Sequence, residues 1–189
     1  MRIVAIDEGH GGKDSGAVSV SGVFESVIVE QYAPFTQFML LGLGLDVKRI
    51  RLPGESVASD ERIRRIKASH ADCLVSLHCN SVTSEKATGF EVYTSPGITP
   101  ADALAESVIT ELMWVSSSLR GRFDIRDGDR DKEAHFYVLT RSPMPAILVE
   151  FGFLSNVADE RLILDPLFRH RACSAITVGV ARWIFGMAT

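Results

Sequence analysis

The chain has 189 residues, with 24 Asp+Glu against 20 Lys+Arg for a formal charge of −4, and is 46% hydrophobic and 23% charged. These proportions fit one globular domain with a substantial core. They argue against disorder, a fibrous architecture or a general nucleic-acid binder, which needs a basic surface.

No repeat, low-complexity tract or linker divides the sequence, so a single domain is predicted, with short β-rich runs alternating with longer helical stretches. Residues 2–7 form the first strand. This start has neither the apolar core nor the cleavage site of a signal peptide. A helix over 25–41 follows, in which Pro34 should produce a kink or break unless the helix begins later. A second strand covers 46–52, although Leu45, Val47 and Ile50 do not alternate cleanly. The helix 59–69 places Ile63 and Ile66 on one face, with Arg62, Arg64, Arg65 and Lys67 on the polar side. Strands are then predicted over 73–78 and 90–94. A helix over 100–119 follows the favoured Thr99-Pro100 start, with Leu104, Val108, Ile109 and Leu112 at helical spacing. Residues 122–133 read as a solvated charged loop. The run Asp127-x-Asp129-x-Asp131 within it resembles the opening of a calcium loop, but Lys132 and Val138 stand where glycine and glutamate are required. Strands at 137–139 and 146–151 and helices at 159–164 and 166–185 complete the chain. The runs LVSL and AILV are apolar at consecutive positions, as in strands covered on both faces. The fold class is therefore α/β, a mostly parallel sheet flanked by helices.

The longest apolar stretches, such as 38–45, fall far short of the ~20 residues that a membrane span needs. Cys73, Cys79 and Cys173 are odd in number and lack CxxC spacing, which disfavours a disulfide scaffold and a cysteine-rich zinc module. The expectation is a soluble protein made in a reducing compartment. P-loop, GxGxxG, GxSxG and HExxH motifs are all absent.

In such a sheet, active sites lie beyond the carboxyl ends of the strands. Three strands end in ligand-type residues: the first at Asp7-Glu8-Gly9-His10-Gly11-Gly12, another at His78-Cys79-Asn80, a third at Glu150. Glu25, at a helix start, is a fourth candidate. Two imidazoles and a carboxylate are one ligand set for catalytic zinc, and a second carboxylate near the water would be the general base. Each residue also has a plainer reading. His10 sits in a glycine-rich turn, His78 suits a hydrogen-bonded core position, and Glu25 suits first-turn helix charge. Glu150 is the hardest to explain away, because a carboxylate closing an apolar strand is poorly solvated. His70, His135 and His170 read as surface residues, with His135 able to reach the cleft rim.

The segments IVAIDEGHGGKDSGA, GVFES, ERIRRIKASHADCLVSLHCNS, GFEVYTS and FYVLTRSPMPAILVEFGFLSN occur in the order found in zinc-dependent N-acetylmuramoyl-L-alanine amidases of the Amidase_3 family. The chain resembles that family over about residues 3–164. The resemblance implies that His10, Glu25 and His78 hold Zn2+ and that Glu150 is the catalytic carboxylate. It also implies a single-domain, twisted, phosphorylase/hydrolase-like sheet with the metal at the strand ends. The implied reaction is hydrolysis of the amide between N-acetylmuramic acid and L-alanine of the peptidoglycan stem peptide. Rivals are a zinc peptidase or carboxypeptidase on the stem peptide and a non-catalytic wall-binding module. Glu8 departs from the family's proline, Cys79 from its small alanine, and Ile66-Lys67 from its Ala-Asn. Glu8 is expected to tune the site or face solvent, and the Cys79 thiol to lie beside the metal. A stand-alone domain without leader or wall-binding repeats suggests a bacteriophage endolysin or a trimmed exported enzyme. Some members carry an inhibitory helix after the strand matching 89–94. Here the apolar face of the 100–119 helix predicts an open cleft and activity without an activator protein.

Overall fold

A computed structural model describes residues 1–126 and 128–187, so Asp127 of the aspartate-rich run lies outside the described residues. Six strands form one mixed sheet in the order β2-β1-β3-β6-β4-β5. They are β1 (Ile3–Glu8), β2 (Asp46–Arg49), β3 (Cys73–Asn80), β4 (Glu91–Thr94), β5 (Lys132–Glu133) and β6 (Ala146–Phe153). All neighbours run parallel except β4 and β6. The helices are α1 (Glu25–Gly42), α2 (Ser59–Ala68), α3 (Pro100–Leu112), α4 (Tyr137–Thr140), α5 (Val157–Leu164) and α6 (Pro166–Phe185).

Both sheet faces are covered, which accounts for the unbroken apolar runs in β3 and β6. Val4, Ile6, Val75, Leu77, Ile147 and Val149 join the larger core beneath α1, α3 and α6. Ala5, Leu74 and Leu148 join a smaller one beneath α2 and α4, with Ile63, Ile66 and Leu139. Helix α3 starts as predicted, in a capping box: Thr99 Oγ1 accepts from Ala101 N at 3.1 Å, and Asp102 Oδ2 accepts from Thr99 N at 2.8 Å.

Four expectations need correction. Residues 137–139 form a helical turn, not a strand, because β5 already pairs with the open side of β4 and the short FYVL run instead lays Leu139 onto the small core. Helix α1 runs through Pro34 without interruption, held by a buried stripe of Ile28, Val29, Tyr32, Ala33, Thr36 and Leu40. Helix α3 stops at Leu112 rather than 119; the serine run that follows turns back on itself through Ser118 N to Ser116 Oγ. The segment 122–133 is not simply solvated. Lys132–Glu133 are β5, and Asp131 is buried with Thr94 Oγ1 donating to it at 2.6 Å.

Candidate active site

His10 follows β1 with φ 58°, a left-handed conformation uncommon for a non-glycine residue. Gly9 before it must be glycine, since a Cβ there would lie 2.2 Å from the His78 ring. The two imidazoles therefore meet edge to face, with centroids 5.1 Å apart. Glu25, the first residue of α1, inserts its carboxylate between them. One oxygen lies 3.2 Å from His10 Nε2, and the other 2.9 Å from His78 Nδ1. Backbone amides of Ala17 and Cys79 donate to the same carboxylate at 2.9 and 3.0 Å. One ligand atom from each of the three residues lies within 4.8 Å of the others.

Glu150 pairs in register with His78 across β3 and β6. It is 8% exposed, and its Oε2 is buried with no hydrogen-bond partner. Burial pushes its carboxyl up to about 7, resisted by His78 and reinforced by the charges of Glu25 and Glu91. The hydrogen bond with Glu25 raises His10 to about 9. Burial favours a neutral Glu25, but the two imidazoles outweigh it and hold this carboxyl well below the usual range. His78 is likewise raised, its burial overcome by Glu25 and Glu150. The four residues singled out in the sequence thus line one cavity of about 360 Å3, together with Ala17, Asn80, Phe136 and Leu148.

The donor set of two ring nitrogens and one carboxylate suits a divalent ion of borderline softness such as zinc. Glu25 already lies within hydrogen-bond reach of one nitrogen of each ring, so the three ligand atoms converge on one point.

Other expectations are redirected. Cys79 borders the site cavity, but alternation along β3 turns its side chain toward the large core, and burial raises its thiol. Glu8 neither tunes the ligands directly nor faces solvent: it is fully buried and bound by Arg49. The loop around His10 is held by its own backbone, the amides of Gly9 and Gly11 donating to the Leu77 and Asp14 carbonyls. His135 is exposed and lines a different cavity with Thr99 and Met144, whereas its neighbour Phe136 enters the site.

Sequence reasoning missed several residues. Asp14 Oδ2 lies 2.9 Å from His10 Nδ1 and fixes the ring by its second nitrogen. Glu91, paired in register with Glu150, is buried among four donors: Arg122 Nε, Lys132 Nζ, Tyr93 OH and Asn80 Nδ2, at 2.6–2.8 Å. The i, i+4 spacing of His10 and Asp14 was a readable signal; nothing in a strand reading of GFEVYTS marks Glu91.

Residues 4–182 match the family described as N-acetylmuramoyl-L-alanine amidase, Amidase_3. The N-acetylmuramoyl-L-alanine amidase AmiC of Neisseria meningitidis is 33% identical over 218 residues, covering 96% of this chain and 52% of its own length. The chain thus spans about half of that relative. The uncharacterized protein YqiI of Bacillus subtilis is 34% identical over 182 residues, covering 95% of this chain and 83% of its own. Among solved structures, the N-acetylmuramoyl-L-alanine amidase AmiC2 of Nostoc punctiforme superposes with a TM-score of 0.88 at 29% identity, over 97% of each chain.

Proposed function

Because the chain belongs to the N-acetylmuramoyl-L-alanine amidase family, we propose that it hydrolyses the amide joining N-acetylmuramic acid to L-alanine in peptidoglycan. In this reading His10, Glu25 and His78 hold zinc and Glu150 is the catalytic carboxylate. The observation that carries it is the convergence of three ligand atoms within 4.8 Å beside a buried carboxylate whose Oε2 has no partner. Bound there, zinc would supply Lewis acidity for the scissile carbonyl and acidify an attacking water.

The protein's own groups do the rest. Asp14 and Glu25 engage the two nitrogens of the His10 ring, so that it presents Nε2 inward. Glu150 takes the proton of the water and returns it to the departing L-alanine nitrogen, which leaves poorly as an anion. Burial of this carboxyl favours its protonated form, which suits it to hold and return the proton. Phe136 and Leu148 supply an apolar wall to the cavity.

The wall substrate places the protein at the cell wall, as an endolysin released at lysis or as the catalytic part of an exported enzyme. Among the described residues no helix is long and apolar enough to cross a membrane. We also propose activity without an activator. The apolar face of α3 packs against α6, with Ser107 Oγ donating to Gly179 O at 2.9 Å. Its carboxylates Glu106 and Glu111 are engaged by Arg130 and Arg182. Digesting purified peptidoglycan with the zinc-loaded chain alone tests the whole reading. Peptide-free glycan and stem peptides with a free L-alanine amine are expected. Release of a terminal amino acid would instead indicate a peptidase, and binding without products a wall-binding module.

A further inference from the structure

The loop carrying His10 leaves β1 with three consecutive carbonyls turned away from the sheet ladder, and two arginines reach them. Arg51 is fully buried; its Nε donates to Glu8 O at 3.0 Å and its Nη2 to Gly9 O at 3.1 Å. Arg62 projects from α2, donating through Nη1 to Glu8 O at 2.7 Å and through Nη2 to His10 O at 2.8 Å. Buried carbonyls need donors, and here guanidinium forks provide them. Each fork is itself anchored by an acid: Arg62 by Asp7, Arg51 by Glu30. Asp7 is held in turn by Ser76 Oγ at 2.8 Å. The loop is shaped around this device, for a Cβ on Gly11 would come within 2.8 Å of the Arg51 guanidinium.

We propose that Arg62 and Arg51 are positioning residues for the metal, clamping the Glu8–Gly9–His10 backbone so that His10 is held in its left-handed conformation with Nε2 facing Glu25. The inference rests on the reading of His10 as a zinc ligand. Without the clamp, His10 relaxes toward ordinary backbone angles and its nitrogen leaves the ligand triangle. The acid partners neutralise the guanidiniums, so the clamp orients the loop without setting a bare positive charge beside a cation site.

The test uses the full chain with Arg62→Lys, Arg62→Met and Arg51→Lys. Arg65→Met is the control, since Arg65 lies one turn along α2 and bonds Glu55, Glu61 and Ile50 O rather than the loop. Zinc Kd is measured by chelator competition, the visible spectrum after cobalt substitution, and thermal stability without metal. Weakening of zinc binding by about 10- to 100-fold, with altered cobalt bands, is expected in the clamp variants and not in Arg65→Met. Lysine keeps the charge but not the fork, so Arg62→Lys decides the matter if Arg62→Met does not fold. Clamp variants that fold, yet bind zinc within two-fold of the control and keep its cobalt spectrum, overturn the proposal. Failure of the unaltered chain to bind zinc would overturn the site assignment instead.

Discussion

Glu150→Gln should abolish activity while making the metal-free protein more stable. The side chain is 8% exposed on a fully buried strand, and its Oε2 has no donor. Burial raises the carboxyl from 4.5 to about 7. An acid whose folded pKa lies above its unfolded one supports the fold below the unfolded value and loses that support as pH climbs through the folded one. Above pH 7 the wild-type protein therefore keeps an ill-solvated charge, a penalty of up to about 3 kcal/mol for this shift. Glutamine has the shape and neutrality of the protonated acid, so it removes the penalty at pH 8 and changes little at pH 4. A gain of 1 kcal/mol corresponds to roughly 2–4 °C in a chain of this size. A melting temperature higher by several degrees at pH 8 in chelator is expected. Hydrolysis should fall by at least ~10²–10⁴-fold, the range for a lost general base, with one zinc per chain retained. Activity within a few-fold of wild type, or a lower melting temperature at pH 8, would refute the reasoning.

Other substitutions follow from the same geometry. His78→Ala removes one of three ligands and should leave less than a tenth of an equivalent of zinc by elemental analysis, roughly as expected for loss of a ligand. Glu25→Gln, which retains one oxygen, should bind zinc more weakly. Asp131→Asn should raise the melting temperature at pH 8 but not at pH 4. Burial raises Asp131 above the usual carboxylate range, against the Thr94 hydrogen bond and with Asp129 adding to the rise, and an amide oxygen still accepts from Thr94. Gly179→Ala improves helix propensity but places a Cβ 2.6 Å from Val108 Cα at the α3–α6 contact. A loss of about 1–3 kcal/mol in denaturant unfolding is expected, where an exposed glycine would show a gain.

The strands that carry the site were legible because long-range pairing and local pattern agree in them. LVSLHCN and AILVEFGF are extended by composition and buried by position, and each delivers a polar residue where the apolar run ends. The 137–139 run failed because β-propensity describes a residue's fit to a sheet, while the only open neighbour of β4 was taken by two charged residues with no strand pattern. Proline at position 34 misled for a similar reason: a missing backbone donor is a local term, and the buried stripe of α1 outweighs it. The four central residues could be picked out singly, but Glu91, Arg51 and Arg62 could not. Their roles depend on partners up to 55 positions away, brought together by the fold rather than by any spacing.

Alternation within the sheet explains why the chemistry gathers at one place. Leu74, Ser76 and His78 point to one face of β3, while Cys73, Val75, Leu77 and Cys79 point to the other. Ala5 and Asp7 on β1, Leu148 and Glu150 on β6, and Tyr93 and Glu91 on β4 share the first face. Along this face the apolar members lie under α2 and α4, and the polar members lie toward the carboxyl ends of the parallel strands. The covering layer there is thin: ten residues in α2 and four in α4, against eighteen and twenty in α1 and α6 on the opposite side. A strip at the strand ends lies beyond these two short helices as a result of that mismatch in length. Asp7, Ser76, Glu91 and Glu150 occupy it and are nonetheless buried, and the loop after β1 folds over its edge to bring His10 and the start of α1 into reach. A one-residue slip of β3 would exchange His78 for Cys79 and empty the strip of its ligand, so the apolar pattern that fixes the register also fixes the chemistry.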